Sequence, residues 1–289
     1  MILMIGQYGN LSRALQGHFS SEKLHIVRGE EARNWAKSFG GIETFMKSLD
    51  ECPRIILYAS GIINPSAPIH DLLEINFLVP QKLEEFANRS GIKLVTFGTI
   101  MENFDAMSIS NPYLFSKKQY YNYLIEKQNK KSNSIHLQIH TWYGLKSLKQ
   151  FMFLGQMFSA IQNRDFFPMS SGDQLREYHH ISDDLNFLTY LLNIDASGVI
   201  EINHGETVSL KSLAEYVFSY FDLSDLLKIG SLPEPRQDNF QTEFTPSGEL
   251  GSHNFRKTLP GVIEYFNLLM AGETEIVPPN IADLDNLSE

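Results

Sequence analysis

Tyr113 and Lys117, four residues apart, are the pair in this chain best suited to acid-base chemistry at a carbonyl. On a helix, side chains at this spacing share a face, so a lysine ammonium can hold down the pKa of a phenol that otherwise titrates near ~10. Such a tyrosine can hand a proton to a developing alkoxide. A Tyr-x-x-x-Lys spacing also arises on ordinary solvated helices, so its meaning rests on the elements that position it.

The first of these is the N-terminal run Ile2–Ile5, followed by Gly6, Gln7, Tyr8, Gly9, Asn10, Leu11 and Ser12. It predicts a buried strand, a tight turn and a helix start, the arrangement that offers free backbone N–H groups to a pyrophosphate. Gly6 and Gly9 fit the dinucleotide fingerprint, while Ser12 stands where a third glycine would permit close helix–strand packing. The same pattern also fits a strand, turn and helix without a ligand. A second strand, Leu24–Val27, ends at Arg28, where an NAD-selective site would place an acidic residue on the ribose hydroxyls. Arg28 is suited instead to a ribose 2′-phosphate, with Arg33 as helper, which favours NADP over NAD. A solvated arginine at a strand end is the competing reading.

Residues 54–60 read Arg-Ile-Ile-Leu-Tyr-Ala-Ser, apolar enough at their centre for a strand buried on both faces, and end at Ala59, Ser60 and Gly61. Residues 71–88 predict a long helix, and 93–96 another buried strand. Strands alternating with helices predict a parallel doubly wound α/β sheet of the Rossmann type. Ligands then lie at the carboxyl ends of the strands, where Gly6, Arg28, Gly61 and Thr96 fall.

With these residues in order, the chain resembles the extended short-chain dehydrogenase/reductases, the NAD-dependent epimerase/dehydratase family, in the branch acting on nucleotide-linked sugars. The resemblance rests on Gly6-x-x-Gly9-x-x-Ser12, Tyr58-Ala59-Ser60-Gly61, Asn76-x-x-x-Pro80, Thr96-x-x-Thr99, Asn111-Pro112-Tyr113-x-x-x-Lys117, Tyr143-Gly144 and Arg176-Glu177-Tyr178-x-His180-x-x-Asp183. It covers about residues 1–270. It implies Tyr113 as general acid, Lys117 tuning that acid and holding the nicotinamide ribose, and Thr99 or Thr96 orienting the carbonyl. Gly6, Tyr8, Gly9, Asn10, Leu11, Arg28, Ala59, Ser60, Gly61 and Asn76 would contact the cofactor. Thr141 and Arg176 would contact the substrate, Arg176 through its diphosphate, for which the guanidinium fork is well shaped. An ion pair of Arg176 with Asp173 or Asp183 is the plainer alternative.

The departures carry information too. Aligning Ile100-Met101 with the family's usual Val-Tyr pair puts Phe97 where a carbonyl-orienting hydroxyl is expected, so Thr96 or Thr99 must take that role or it is missing. Thr141-Trp142 replaces the asparagine that normally precedes the Tyr-Gly pair. Only residues 29–53 separate the second strand from the next, and no Asp-Val or Asp-Leu pair remains to contact adenine.

The glycine turn and the short second βα segment look closest to 4-keto-6-deoxysugar reductases. An epimerase or dehydratase with retained NAD is the alternative, with Glu102 in the neighbourhood of the acidic residue a dehydratase uses. A binding protein that senses NADP without chemistry is a third reading.

Composition sets the outer limits. With 289 residues, 43% hydrophobic and 20% charged, the chain can bury a substantial core. No apolar stretch reaches the ~18 residues of a membrane span, the start has no basic-then-apolar leader, and a cytoplasmic location is expected. The net charge of -10 disfavours nucleic acid; the lysines in 127–131 read as a solvated helix end. Cys52 is the sole cysteine, which excludes an internal disulfide and a cysteine metal cluster. His179 and His180, adjacent on a strand, point to opposite faces and cannot chelate together, so no metal is expected.

Residues 119–128 should continue the Tyr113 helix, 135–139 and 199–203 should be strands, and 151–163, 183–193, 209–221 and 254–270 helices, the last interrupted near Pro260, with Ser209 as a cap for the helix over 209–221. The aromatic and methionine-rich 151–158 fits either a helix covering the substrate cleft or plain core. Residues 230–251 predict loop and 273–289 an acidic tail. The expected organisation is a cofactor-binding domain over 1–145 and a smaller C-terminal substrate-binding lobe over 146–272 with one returning sheet segment. A homodimer is expected through the helices over 113–128 and 71–88, with Tyr120, Tyr121 and Leu124 as an apolar seam.

Overall fold

A strand apolar at every position is stable only where helices cover both faces of its sheet. β1 (Ile2–Ile5), Ile-Leu-Met-Ile, meets that condition, with all four side chains buried. The computed structural model describes residues 1–38, 40–127, 132–146, 148–248 and 253–273. The lysine run beyond 127 and the tail beyond 273 lie outside these residues.

After β1 come α1 (Asn10–His18), β2 (Leu24–Val27), α2 (Gly29–Lys37), α3 (Gly41–Ser48) and β3 (Ile55–Tyr58). α4 (Ile69–Leu73) passes through one π turn, Glu74–Leu78, into α5 (Val79–Ser90), and β4 (Lys93–Thr99), α6 (Asp105–Ser110), α7 (Pro112–Lys127) and β5 (Ile135–Ile139) follow. Then come β6 (Thr141–Tyr143), α8 (Phe153–Asn163), β7 (Phe167–Pro168), β8 (Leu175–Arg176), β9 (Tyr178–His180), α9 (Ile181–Asn193) and β10 (Gly198–Glu201). β11 (Val208–Ser209), α10 (Leu210–Tyr220), β12 (Leu227–Lys228) and α11 (Thr258–Met270) complete the order.

The main sheet has six strands in the order β10-β5-β4-β3-β1-β2, paired in parallel throughout. This is the expected doubly wound Rossmann-like architecture. Strand order reverses between β1 and β3, the position where such sheets open a ligand crevice at their carboxyl ends. Ile5 pairs with both Val27 and Tyr58, which brings Gly6, Arg28 and Ala59 together just beyond the sheet. One face is sealed by Leu3, Ile5, Ile56 and Leu94 against Ala32, Ile42, Val79, Leu83 and Ala87 of α2, α3 and α5.

The chain divides into two compact units. The first takes Met1–Ile139 and Leu188–Ile202, so the sheet is completed by a segment returning from late in the sequence. The second takes His140–Phe187 and the described residues from Asn203 onward. Its core joins Tyr143, Leu154, Met157, Tyr178, Leu213, Val217, Phe218, Val262 and Phe266. Within the aromatic and methionine-rich 151–158, Leu154 and Met157 are core and Phe153 and Phe158 pack against it, whereas Phe151 and Met152 are exposed.

Several boundaries differ from expectation for identifiable reasons. The 29–53 segment is short but holds both α2 and α3. β4 runs three residues past 96, because register with β5 continues to Thr99–Ile139. Pro260 does not interrupt α11; it sits in the first turn, where its missing N–H would have had no helical partner. Ser209 caps α10 as expected, its hydroxyl accepting from the Ser212 N–H at 3.0 Å. Tyr120 is only 2% exposed, packed edge-on to His136 within the first unit, and so cannot supply an external seam. Among the described residues no helix is long and apolar enough to cross a membrane.

Two left-handed glycines allow a clean test of packing. A Cβ on Gly144 (φ 74°) would fall 2.1 Å from His180 Nε2, whereas one on Gly91 (φ 70°) would meet nothing within 4 Å. Gly91→Ala should cost about 1–2 kcal/mol from backbone conformation alone. Gly144→Ala should cost about 1–3 kcal/mol more from overpacking. Denaturant midpoints of the two variants measure the difference, and equal losses would contradict the packing described.

Candidate cofactor and catalytic site

The turn after β1 leaves no room for a side chain. Gly6 has φ 123°, and a Cβ there would lie 2.8 Å from Ser12 Oγ and 3.0 Å from both the carbonyl carbon and oxygen of Ala59. Ser12, in place of the third glycine, is 1% exposed and donates to the Ala59 carbonyl at 3.4 Å. It therefore fills the tight contact between α1 and the end of β3. Gly9 is the N-cap of α1 and contributes no capping side chain, and the first turn carries no acidic residue. Amide N–H groups at this helix start are available to an anion. Tyr8 is 65% exposed beside them.

At the end of β2, Arg28 is exposed, caps α2 through its backbone, and has no ion pair with any described residue. A Cβ on the next residue, Gly29, would fall 2.1 Å from Ser60 Oγ, so Ser60 closes against this turn. Arg33 is committed elsewhere: its guanidinium bonds Asp71 at 2.6 Å and Glu74 at 2.5 Å, contacts that raise its own proton affinity. The expected helper role of Arg33 is thereby corrected.

Tyr113 enters α7 through a well-formed start. Asn111 Oδ1 accepts from the Tyr113 N–H at 3.0 Å and the Leu114 N–H at 3.3 Å, and Pro112 needs no N–H partner there. One turn on, Lys117 Nζ donates to the Phe97 carbonyl at 2.7 Å. A Cβ on Gly61 would stand 3.5 Å from Asn76 Oδ1 and 3.9 Å from Lys117 Nζ, which brings Gly61, Asn76 and Lys117 to one point beyond β3 and β4. Asn76, 2% exposed and inside the π turn, donates to Ile62 O at 2.8 Å and Ser116 Oγ at 2.9 Å and accepts from Ile62 N at 3.1 Å. Ser116 donates in turn to the Tyr113 carbonyl at 2.7 Å. The side-chain bond to Ser116 was not foreseen from sequence.

Burial pushes the Tyr113 phenol above its ordinary value, and the negative charge of Glu102 adds to this. Burial lowers Lys117, with Glu102 opposing. In the protein alone the lysine is thus occupied by a carbonyl and does not bring the phenol down, contrary to expectation.

The two threonines separate clearly. Thr96 is 2% exposed and turned into the core, its hydroxyl 2.8 Å from His136 Nδ1 and 3.4 Å from Ile135 O. Thr99 is partly exposed and caps the following 3-10 turn, its hydroxyl accepting from the Met101 N–H at 3.3 Å while Glu102 accepts from the Thr99 N–H at 3.1 Å. Glu102 itself is fully buried and also bonds His136 Nε2 and Gln138 Nε2, each at 3.1 Å. It holds Thr99 in place rather than facing a substrate. Thr-x-x-Glu is a capping-box pattern, so this role was readable from spacing.

In the second unit, Thr141 lies on β6, paired in register with Tyr178. Arg176 donates to Asp238 at 2.6 Å and to the Leu175 carbonyl at 2.8 Å, so its partner is neither Asp173 nor Asp183. His179 and His180 do diverge. His180 lies 2.6 Å from Ser182 Oγ and edge-on to Tyr143. His179 Nδ1 is 2.7 Å from Asp184 Oδ1 and its Nε2 3.0 Å from Glu177 Oε2. His140 stands on the same side of Glu177, Nε2 to Oε2 3.6 Å. Burial lowers His140 to about 4; for His179 the two carboxylates outweigh burial and raise it to about 9.

Removing the charge of Glu102 should lower the Tyr113 pKa, because that charge favours the neutral phenol. With tyrosines labelled at 13Cζ and Tyr113 assigned through Tyr113→Phe, the unaltered phenol should stay protonated above pH ~10. Glu102→Gln should move its midpoint downward. An unaltered Tyr113 titrating at or below the ordinary value would contradict this electrostatic account.

No family model and no curated protein matches the chain, whereas solved structures do. MoeE5 in complex with UDP-glucose and NAD aligns at TM-score 0.72 and 16% identity over 94% of this chain and 99% of that one. UDP-N-acetylglucosamine 4-epimerase from Methanobrevibacter ruminantium M1, with UDP-N-acetylmuramic acid, aligns at TM-score 0.71 and 14% identity over 94% and 98%. dTDP-4-dehydrorhamnose reductase from Bacillus anthracis str. Ames, with NADP, aligns at TM-score 0.70 and 16% identity over 92% and 98%. dTDP-glucose 4,6-dehydratase from Bacillus anthracis str. Ames, with NAD, aligns at TM-score 0.71 and 13% identity over 93% and 96%. Across nearly its whole length, then, this chain has the Rossmann-like fold of these structures.

Proposed function

We propose that the protein is an NADP-preferring oxidoreductase that reduces a keto group of a nucleotide-diphosphate sugar, in the manner of 4-keto-6-deoxysugar reductases. The observation that carries this reading is the convergence of Lys117 Nζ, Gly61 and Asn76 beyond the carboxyl ends of β3 and β4, one helical turn from Tyr113. It is supported by the side-chain-free approach at Gly6, the uncapped start of α1 and the unpaired Arg28, which together fit a dinucleotide phosphate group. Solved neighbours of the same fold carry NAD or NADP.

The cofactor, when bound, supplies the hydride. The chain's own residues bind, orient and protonate. Gly6, Gly9 and the amide groups at the start of α1 take the pyrophosphate, with Tyr8, Asn10 and Leu11 beside them, and Arg28 takes the 2′-phosphate. Ala59, Ser60 and Gly61 form the wall that Asn76 fixes. Lys117 Nζ is anchored by Phe97 O and has donors left for a ribose hydroxyl. Thr99 keeps its hydroxyl proton to donate to a substrate carbonyl, since its oxygen accepts from Met101 N. Tyr113 then gives its phenolic proton to the oxygen of the developing alkoxide, and its raised pKa keeps that proton in place beforehand. In the second unit, Arg176 is the residue proposed for the substrate diphosphate, which must displace Asp238, and Thr141 a substrate contact. A homodimer and a cytoplasmic location belong to the same proposal.

An epimerase or dehydratase with retained NAD is the second reading, favoured by neighbours of both kinds. The buried, fully engaged Glu102 weighs against its dehydratase form, because a carboxylate so enclosed is not placed to take a substrate proton. The NADP-sensing binding protein remains the reading without chemistry.

Arg28→Ala should weaken NADPH by about 1.5–3 kcal/mol, the range for charge-assisted hydrogen bonds, and leave NADH nearly unchanged. Calorimetric titration of both cofactors measures this; equal losses would overturn the NADP preference. Tyr113→Phe should preserve folding and cofactor affinity while lowering turnover by about 10²–10⁴-fold. The assay is NADPH oxidation against a panel of 4-keto nucleotide sugars. Undiminished turnover in Tyr113→Phe would remove the tyrosine from the mechanism, and no turnover by the parent on any keto sugar would favour the epimerase or sensor reading.

A further inference from the structure

We propose that His140, Glu177 and His179 form a buried binding site for a divalent transition-metal ion of the zinc type within the second unit. The ligand atoms of the three residues lie within 4.8 Å of one another. Around a tetrahedral ion with bonds of ~2.0–2.1 Å, neighbouring ligand atoms are about 3.3 Å apart. The separations from Glu177 Oε2 to His179 Nε2, 3.0 Å, and to His140 Nε2, 3.6 Å, bracket that value. Two imidazoles and one carboxylate are a donor set that zinc accepts readily.

Two further observations point to an ion. His179 presents its other ring nitrogen to Asp184 at 2.7 Å, the outer carboxylate that typically orients a metal-bound histidine. Asp184 is itself held by the Trp142 indole N–H at 2.5 Å. The second is charge. Glu177 and Asp184 are buried carboxylates whose partners are imidazoles, an indole and the backbone N–H groups of His204 and Gly205, with no lysine or arginine among them. Two buried carboxylates with neither guanidinium nor ammonium partner are costly in a dry interior; a divalent ion on Glu177 beside the His179–Asp184 pair offsets that cost.

On binding, the ion forms bonds to Nε2 of each histidine and to Glu177 Oε2; His179 releases its Nε2 proton to water and keeps the one it gives Asp184, while His140 shifts its single ring proton from Nε2 to Nδ1. His140 must let go of Asn203 Oδ1, now 2.7 Å from its Nε2, and that amide oxygen is the nearest candidate for a fourth ligand. Because the three side chains are 0–1% exposed, the ion should enter as the chain folds and exchange slowly afterwards.

The test uses untagged full-length protein, unfolded with a chelator and refolded with Zn²⁺, with Co²⁺ or with neither. Elemental analysis after gel filtration should give about one Zn²⁺ per chain, a stoichiometry that His140→Gln and Glu177→Gln reduce at least tenfold and the exposed-site control His25→Asn does not. Co²⁺-refolded parent protein should show the intense visible bands of a four-coordinate ion, which keeps the test open if the variants fail to fold. The Zn²⁺-refolded form should melt several degrees above the metal-free form. Folded parent protein that carries less than a tenth of an equivalent of either metal would overturn the proposal, leaving His179 as an imidazolium between two carboxylates. Metal retained in full by folded His140→Gln and Glu177→Gln would overturn it as well. None of these readouts depends on the proposed reductase activity.

Discussion

The close approach of Gly6 to Ala59 is the constraint on which the first unit depends. β1 and β3 are neighbours at the reversal of strand order, and the chain leaves both at the same edge. With backbone atoms of Ala59 only 3.0 Å from where a Gly6 Cβ would stand, the β1–α1 turn can exist only without a side chain. That contact sets where α1 begins, hence where its first-turn amide groups point. Ser12 then does what a third glycine does elsewhere by another route: instead of vacating the space, it occupies it and bonds to the Ala59 carbonyl. The substitution keeps the helix close at the cost of a polar side chain that must be satisfied internally.

The second organising feature is a chain of short hydrogen bonds on the opposite side of the same crevice. Asn76 uses both ends of its amide on Ile62 and its remaining donor on Ser116, and Ser116 reaches the Tyr113 carbonyl. The π turn displaces one residue outward from the regular helical path and is what lets Asn76 face inward from within a continuous helix. Lys117 is fixed independently through Phe97 O. Tyr113 and Lys117 are therefore positioned by different parts of the molecule, the first through α7 and the loop after Gly61, the second through the end of β4. An isolated Tyr-x-x-x-Lys helix would have neither anchor, which is the physical difference between a frequent spacing and a built site.

Most of the sheet was legible in sequence because parallel strands buried on both faces read as unbroken apolar runs, as in residues 2–5 and 55–57. Gly6, Asn76 and Asn111 were legible because backbone geometry or capping dictates their residue type. What remained hidden depended on contacts between residues far apart in the chain. Arg33 looks like a free cation beside Arg28 until Asp71 and Glu74, about forty residues on, are folded against it. Asp238 is likewise invisible as the partner of Arg176. Thr96 and Thr99 resemble each other as hydroxyls near a strand end, yet three residues along a strand turns side chains to opposite faces, and only the presence of His136 beside one of them shows which is inside.

The histidines of the second unit illustrate the same limit in sharper form. Sequence rightly separates His179 from His180, since neighbours on a strand diverge, but that argument addresses only adjacent residues. Glu177 and His179, two apart on β9 and the residue before it, necessarily share a face. They meet His140 because it directly precedes β6, which pairs in parallel with β9 in the register Thr141–Tyr178. The grouping is thus a consequence of a three-residue pairing between short strands whose sequences, Thr-Trp-Tyr and Tyr-His-His, carry almost no periodic signal. Tyr143 and Tyr178, both buried in the core of this unit, specify that register, since a one-residue slip would turn their side chains to the other face. Hydrogen bonds from Asp184, His204 and Gly205 supply part of that specificity. The register that buries the two tyrosines therefore also sets how closely His140, Glu177 and His179 approach one another.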